Sequence, residues 1–178
     1  MKILIASDIH GSECFSKKII DCFAKENAEE LVLLGDIYNH GPRNPLPEDY
    51  NPMGVAALLN GMASHLLVIK GNCDSDVDTL ISDFEFVSEA ILFVGGKKIF
   101  LQHGDRFSIE NLPKNCGEVF IYGHYHTGFI RKEGKILVAN PGSVSLPKEN
   151  TPRSYLLLEE NSLILKTIEG EIIAKEKI

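Results

Sequence analysis

The chain is expected to fold as an α/β protein in which two sheets pack face to face with helices outside them. Two observations carry this expectation. In the first half, short apolar runs alternate with helical patterns, and runs of about four wholly apolar residues suit parallel strands buried on both faces. In the second half the helical patterns stop, and apolar runs pair around the glycines Gly95-Gly96 and Gly134, which read as hairpins.

Taken in order, Ile3 to Ala6 is the first strand, and it runs into Asp8, His10 and Gly11. From Glu13 to Lys25, residues Phe15, Ile19, Cys22, Phe23 and Ala24 fall near one helical face. Leu31 to Leu34 is a second apolar strand ending at Gly35-Asp36. The next stretch, Asn39 to Tyr50, reads NHGPRNPLPEDY and is too rich in Pro and Asn for helix or strand. Asn51-Pro52 is an N-cap followed by a proline in the first turn, and the helix beyond it carries Val55, Leu58, Leu59 and Met62. Leu66 to Ile69 is the third strand, ending at Gly71-Asn72-Cys73-Asp74, with a short helix expected from Asp76 to Ser82. Ala90 to Val94 and Lys97 to Leu101 form the first hairpin, whose second arm ends at His103-Gly104. Val119 to Tyr122 is a buried strand ending at Gly123-His124-Tyr125-His126. Gly128 to Glu133 and Lys135 to Ala139 form the second hairpin. Tyr155 to Glu159 and Leu163 to Ile168 close the chain as antiparallel strands.

A length of 178 residues is most simply one domain, 1–178, with room for a real core. The net charge of −7 argues against general binding to nucleic acid, which needs clustered Lys and Arg. No apolar run approaches a membrane span, and no signal-peptide pattern precedes the first strand. The four cysteines, Cys14, Cys22, Cys73 and Cys116, are scattered and form no Cys-x-x-Cys pair, as expected of reduced thiols in a cytoplasmic protein.

The chemistry lies at the strand ends. Successive apolar runs finish in Asp8 and His10, Asp36, Asn72, His103, and His124 and His126. Each alone has an ordinary reading: Asp36 as a turn residue, Asn72 as an Asx-turn, His103 as a satisfied core histidine. Together they are seven oxygen and nitrogen donors where α/β folds place their sites. Zinc takes about four ligands, so seven suit two divalent ions roughly 3.5–4 Å apart with one carboxylate shared, and Asp36 is the central candidate. Such a centre favours attack on phosphorus.

The series Asp8-x-His10, Gly35-Asp36, Gly71-Asn72-Cys73-Asp74, His103-Gly104 and Gly123-His124-x-His126 resembles the calcineurin-like metallophosphoesterases along essentially the whole chain. The loop NHGPRNPLPE and the later NPGSVSLPK resemble their YfcE-type phosphodiesterase branch. The resemblance implies a four-layer α/β/β/α sandwich of two mixed sheets. It implies a first metal held by Asp8, His10, Asp36 and His126, and a second by Asp36, Asn72, His103 and His124. A hydroxide between the ions would then attack a small phosphate ester. It favours manganese, with zinc, iron or nickel as other occupants, and it leaves room for a homo-oligomer, since family members associate.

Where the wider family has histidine after the asparagine, as the acid for the leaving group, this chain has Cys73, as in the YfcE-like branch. A thiol there can donate a proton, or it can be a small buried residue. Asn39, His40 and Arg43, in the loop after Asp36, are candidate substrate contacts, with Arg43 suited to a phosphate. Their other reading is a solvated loop stiffened by prolines. Asp74 reads as the cap of the short helix, or as a carboxylate orienting Asn72 or a histidine.

The leading function is a phosphodiesterase. Alternatives are a phosphomonoesterase acting on a small phosphorylated metabolite, and a non-catalytic scaffold like the retromer subunit of the same fold, whose mark would be lost ligands. A metal amidohydrolase also begins from His-x-His, but its usual barrel needs about 250 residues.

Overall fold

The computed structural model describes residues 1–178. Its strands are β1 (Ile3–Ala6), β2 (Glu30–Leu33), β3 (Leu66–Ile69), β4 (Phe86–Val87), β5 (Ala90–Val94) and β6 (Lys97–Gln102). They continue as β7 (Val119–Tyr122), β8 (Gly128–Glu133), β9 (Ile136–Pro141), β10 (Ser154–Glu159), β11 (Ser162–Thr167) and β12 (Ile172–Lys177). The helices are α1 (Glu13–Glu26) and α2 (Pro52–Asn60).

Two mixed sheets result, as expected. One has the order β12-β11-β10-β1-β2-β3-β4, and the other β5-β6-β7-β9-β8. In the first, β1 to β4 run parallel and β10 joins β1 antiparallel. In the second, β6, β7 and β9 run parallel between two antiparallel edges. Both expected hairpins form, and Gly95 and Gly96 hold φ values of 58° and 77°, which a tight two-residue turn demands.

The apolar runs are unbroken because both faces of a strand are covered. Leu4 and Ala6 of β1 point into a core with Phe15, Ile19 and Cys22 of α1 and Val55 and Leu59 of α2. Ile3 and Ile5 point the other way, into a core shared with Ile99, Leu101, Val119 and Ile121 of the second sheet. α2 starts as expected, with the Asn51 side chain accepting the Gly54 N–H at 3.2 Å and proline in the first turn.

The outer face of the second sheet departs from a helical layer. Phe100, Phe120, Tyr122 and Val138 are covered there by Phe107, Ile109 and Leu112 of the β6–β7 connection, which contains no helix. That connection holds Pro113 and a left-handed Gly117 (φ 82°), and it satisfies its backbone with paired hydrogen bonds between Ser108 and Asn111. The expected short helix is a 3-10 turn, Asp76–Ile81, whose capping box is Ser75 with Asp78. β12 was not legible from the sequence, because it lies at an edge with Ile172 and Ile173 both exposed and no alternation.

Candidate metal centre

The seven candidate donors follow the carboxyl ends of β1, β2, β3, β6 and β7, so both sheets deliver them to one place. Their backbone is unusual. Asp8, His10, Asp36, His124 and His126 hold φ values of 58°, 53°, 56°, 66° and 61°, a left-handed region that costs a non-glycine residue about 1–2 kcal/mol.

Hydrogen bonds hold these conformations. The Asp8 carbonyl accepts from Ser143 Oγ at 2.7 Å and Ser145 Oγ at 3.0 Å. The Asp74 carboxylate accepts three backbone N–H groups: Asp36 at 2.8 Å, Ile37 at 2.7 Å and Gly71 at 2.8 Å. Asp74 therefore fixes the turn that carries Asp36; it neither caps the following turn nor touches Asn72 or a histidine through its carboxylate. Burial pushes its carboxyl up to about 6 against these three donors. Gly71 must be glycine, since a Cβ there would lie 2.2 Å from Asp36 Oδ1.

Two donor clusters meet at Asp36. In the first, His126 Nε2 lies 3.2 Å from Asp8 Oδ1, and His10 Nε2 lies 3.6 Å from Asp8 Oδ1 and 3.7 Å from Asp36 Oδ2. In the second, His103 Nε2 lies 3.5 Å from Asp36 Oδ1, 3.1 Å from Asn72 Oδ1 and 3.2 Å from His124 Nδ1. One oxygen of Asp36 thus faces each cluster.

The ring tautomers follow from the outer contacts. Nδ1 of His10, His103 and His126 donates to the carbonyls of Asn39, Leu34 and Leu146 at 2.7, 2.7 and 2.6 Å. A carbonyl only accepts, so each neutral ring turns the lone pair of Nε2 inwards. His10 Nε2 and His126 Nε2 then stand 3.2 Å apart, lone pair to lone pair, and Asp8 Oδ1 is buried without a hydrogen-bond partner. Acceptors gathered without a donor among them fit divalent cations. Electrostatics favour positive charge here: against burial, which would lower them, Asp8 and Asp36 raise His10 and His103, and against burial, which would raise it, the Asp8 carboxyl is held well below the usual range by His10 and His126. Burial and the neighbouring His103 push His124 down, towards the neutral ring that ligation needs.

A family model described as a calcineurin-like phosphoesterase superfamily domain matches residues 1–162. The chain belongs to that superfamily. It is 41% identical to phosphodiesterase YfcE of Escherichia coli (strain K12), an alignment spanning 100% of this chain and 98% of that one. It is 30% identical to the probable metallophosphoesterase YsnB of Bacillus subtilis (strain 168), over 89% of this chain and 83% of that one. A solved structure of Yfce, a phosphoesterase from E. coli, superposes with a TM-score of 0.95 at 40% identity, covering 100% of both chains.

In this calcineurin-like phosphoesterase Asp36, Asn72, His124 and His126 open on a cleft of about 990 Å³, with Asp8, His10 and His103 buried behind them. Asn39 and Arg43 line it beside Asp36, Asn72 and Cys73. Asn39 is also structural, its side chain accepting the Gly41 N–H at 2.8 Å. His40 does not reach the cleft; its ring packs edge-on against Tyr50, centroids 5.5 Å apart. Cys73 is half-buried, with Asn72 Nδ2 donating to its sulfur at 3.3 Å, and burial followed by the nearby Asp36 pushes the thiol up to about 12. Reading the sequence missed Lys148, Tyr125, Phe129 and Arg131, which also line the cleft. Tyr125 sits between two histidines, and Phe129 and Arg131 are two apart on β8 and so share a face.

Proposed function

We propose that this chain is a phosphodiesterase that uses two divalent metal ions to hydrolyse a small phosphate diester. The observation that carries the reading is Asp36, which offers one carboxylate oxygen to each of two histidine-rich clusters. Asp8, His10, Asp36 and His126 would hold one ion, and Asp36, Asn72, His103 and His124 the other. When bound, the pair of ions would neutralise phosphate oxygens and acidify a water for attack on phosphorus.

The chain's own groups do the rest. Carbonyls of Asn39, Leu34 and Leu146 lock three imidazoles with Nε2 inwards, so no reorganisation is needed when ligands bind. Arg43 and Lys148 bring positive charge to the cleft for phosphate oxygens. Cys73 stands beside Asp36 and offers its S–H to the departing alkoxide.

Manganese is the ion the family resemblance favours, and an oxygen-and-imidazole donor set also suits zinc, iron or nickel. The four unpaired thiols support a cytoplasmic setting. β1 feeds both major cores with alternate residues, which supports 1–178 acting as one domain.

The test strips the protein with a chelator, restores manganese, and compares bis-p-nitrophenyl phosphate with p-nitrophenyl phosphate. Metal-dependent turnover biased to the diester is expected, with at least a hundredfold loss and a lower metal content in Asp36→Asn. A bias to the monoester would make the chain a phosphomonoesterase. Turnover that survives complete metal removal would end the two-metal reading.

A further inference from the structure

The cleft has an aromatic wall that the two-metal chemistry leaves unused. Tyr125 lies between His124 and His126, its ring centroid 5.9 Å from that of His124, and it is 38% exposed. The buried Tyr122 supports it from behind, edge-on at 5.5 Å, and meets Phe129 in the same way at 6.1 Å. Tyr122 also accepts the Ile109 N–H at 3.2 Å on its phenol oxygen, which pins the β6–β7 connection to this wall. Ile109 and Phe129 line the cleft with Tyr125. The Arg131 guanidinium lies 4.9 Å from the centroid of Phe129.

A diester carries two organic arms, and the metal cluster addresses only its phosphoryl oxygens. The surface presented to an arm here is rings, an isoleucine and a guanidinium held over a ring. Such a surface favours a planar π-system, which gains dispersion, offset or edge contacts and a cation partner together. A methyl arm would gain little from it. The rings are also pre-positioned, since Tyr122 is fully buried and holds both neighbours.

The geometry points to a phosphate ester with a planar aromatic arm, an aryl group or a nucleobase-bearing alcohol, seated on Tyr125 and Phe129. This rests on the phosphate-ester reading above.

Binding of phosphonates to the manganese-loaded protein tests it by calorimetry, independently of turnover. Phenyl-, cyclohexyl- and methylphosphonate share the phosphoryl head and differ in one arm. The phenyl compound is expected to bind about tenfold more tightly than the methyl compound, and clearly more tightly than the cyclohexyl compound. Tyr125→Ala and Phe129→Ala should each narrow the phenyl-to-methyl ratio to about twofold or threefold. Tyr125→Ala removes a side chain outside the core, so it reports even if Phe129→Ala fails to fold, and metal content is measured alongside because its neighbours are histidines of the cluster. Equal binding of the phenyl and cyclohexyl compounds would overturn the planar preference. A ratio unchanged in Tyr125→Ala at full metal content would overturn the wall. No binding of any phosphonate would instead overturn the phosphate-centred reading on which the wall depends.

Discussion

At Cys73 the chain differs by one side chain from the wider family pattern, and the consequence is a matter of acid strength. The thiol sits half-buried beside Asp36, where burial and then that carboxylate push it up, and even at its ordinary value of about 8.5 a thiol gives its proton up less readily than an imidazolium. An imidazolium, with an ordinary value near 6.5, is the stronger acid. A departing p-nitrophenolate needs little protonation, whereas a departing phenolate or alkoxide needs much. Cys73→His should therefore raise turnover of diphenyl phosphate by about tenfold or more relative to bis-p-nitrophenyl phosphate, since positioned proton donors contribute about 10²–10⁴ in rate. The comparison is a kcat ratio for the two esters in parent and variant at fixed manganese. An unchanged ratio would remove Cys73 from proton transfer and leave it as packing. Charge matters elsewhere at this scale too: Asp74, only 6% exposed, accepts three backbone N–H groups with its carboxylate.

Between elements, the end of α1 is tied to the first sheet by one carboxylate. Glu26 accepts from Tyr155 of β10 at 2.7 Å and from Lys166 of β11. Burial alone would push Glu26 up, but these two donors outweigh it and hold the carboxyl below its ordinary value. A depressed carboxyl stabilises the fold above its unfolded value, and that contribution is lost as pH falls through the folded value. Glu26→Gln should remove about 1 kcal/mol at pH 7 and flatten the acid limb. Urea unfolding of chelated protein at pH 7 and pH 3.5 measures this, and parallel losses in parent and variant would show that Glu26 is not the cause. The same scale shows what the sequence could reveal. Strands flanked by two cores advertise themselves as apolar runs, and Gly95-Gly96 and Gly134 mark hairpins by local turn chemistry. That the seven strand-end residues gather in one place was legible for the same reason, since carboxylates, imidazoles and one amide directly follow such runs. What was not legible is long-range: Ser143 bonds Asp8 across 135 positions, Asp74 serves Asp36 across 38, and neither partner marks the other locally. The aromatic wall was hidden likewise, since nothing local to Tyr125 or Phe129 marks the cleft, and Ile109 reaches it from another connection.

Across the whole molecule, the candidate metal centre is a seam between two sheets. Asp8, His10, Asp36 and Asn72 come from the first sheet, and His103, His124 and His126 from the second, so any ion bound at either cluster joins both. In chelated protein the seam crowds buried imidazoles and carboxylates together, and Asp8 Oδ1 has no hydrogen-bond partner, which destabilises the packed state. Cations that bind the folded chain and not the unfolded one stabilise it by mass action, about 2.7 kcal/mol at a hundred times the dissociation constant. For a chain of this length about 2–4 °C accompanies each kcal/mol. Manganese in such excess should therefore raise Tm over chelated protein by about 5–10 °C for each ion bound. Because Asp36 faces both clusters, Asp36→Asn should lose most of that shift, whereas Asn72→Ala, which belongs to one cluster, should lose only part. Differential scanning calorimetry across a manganese titration reads all three proteins. If Asp36→Asn and Asn72→Ala lost equal fractions, Asp36 would be a ligand of one ion and the two clusters would bind independently.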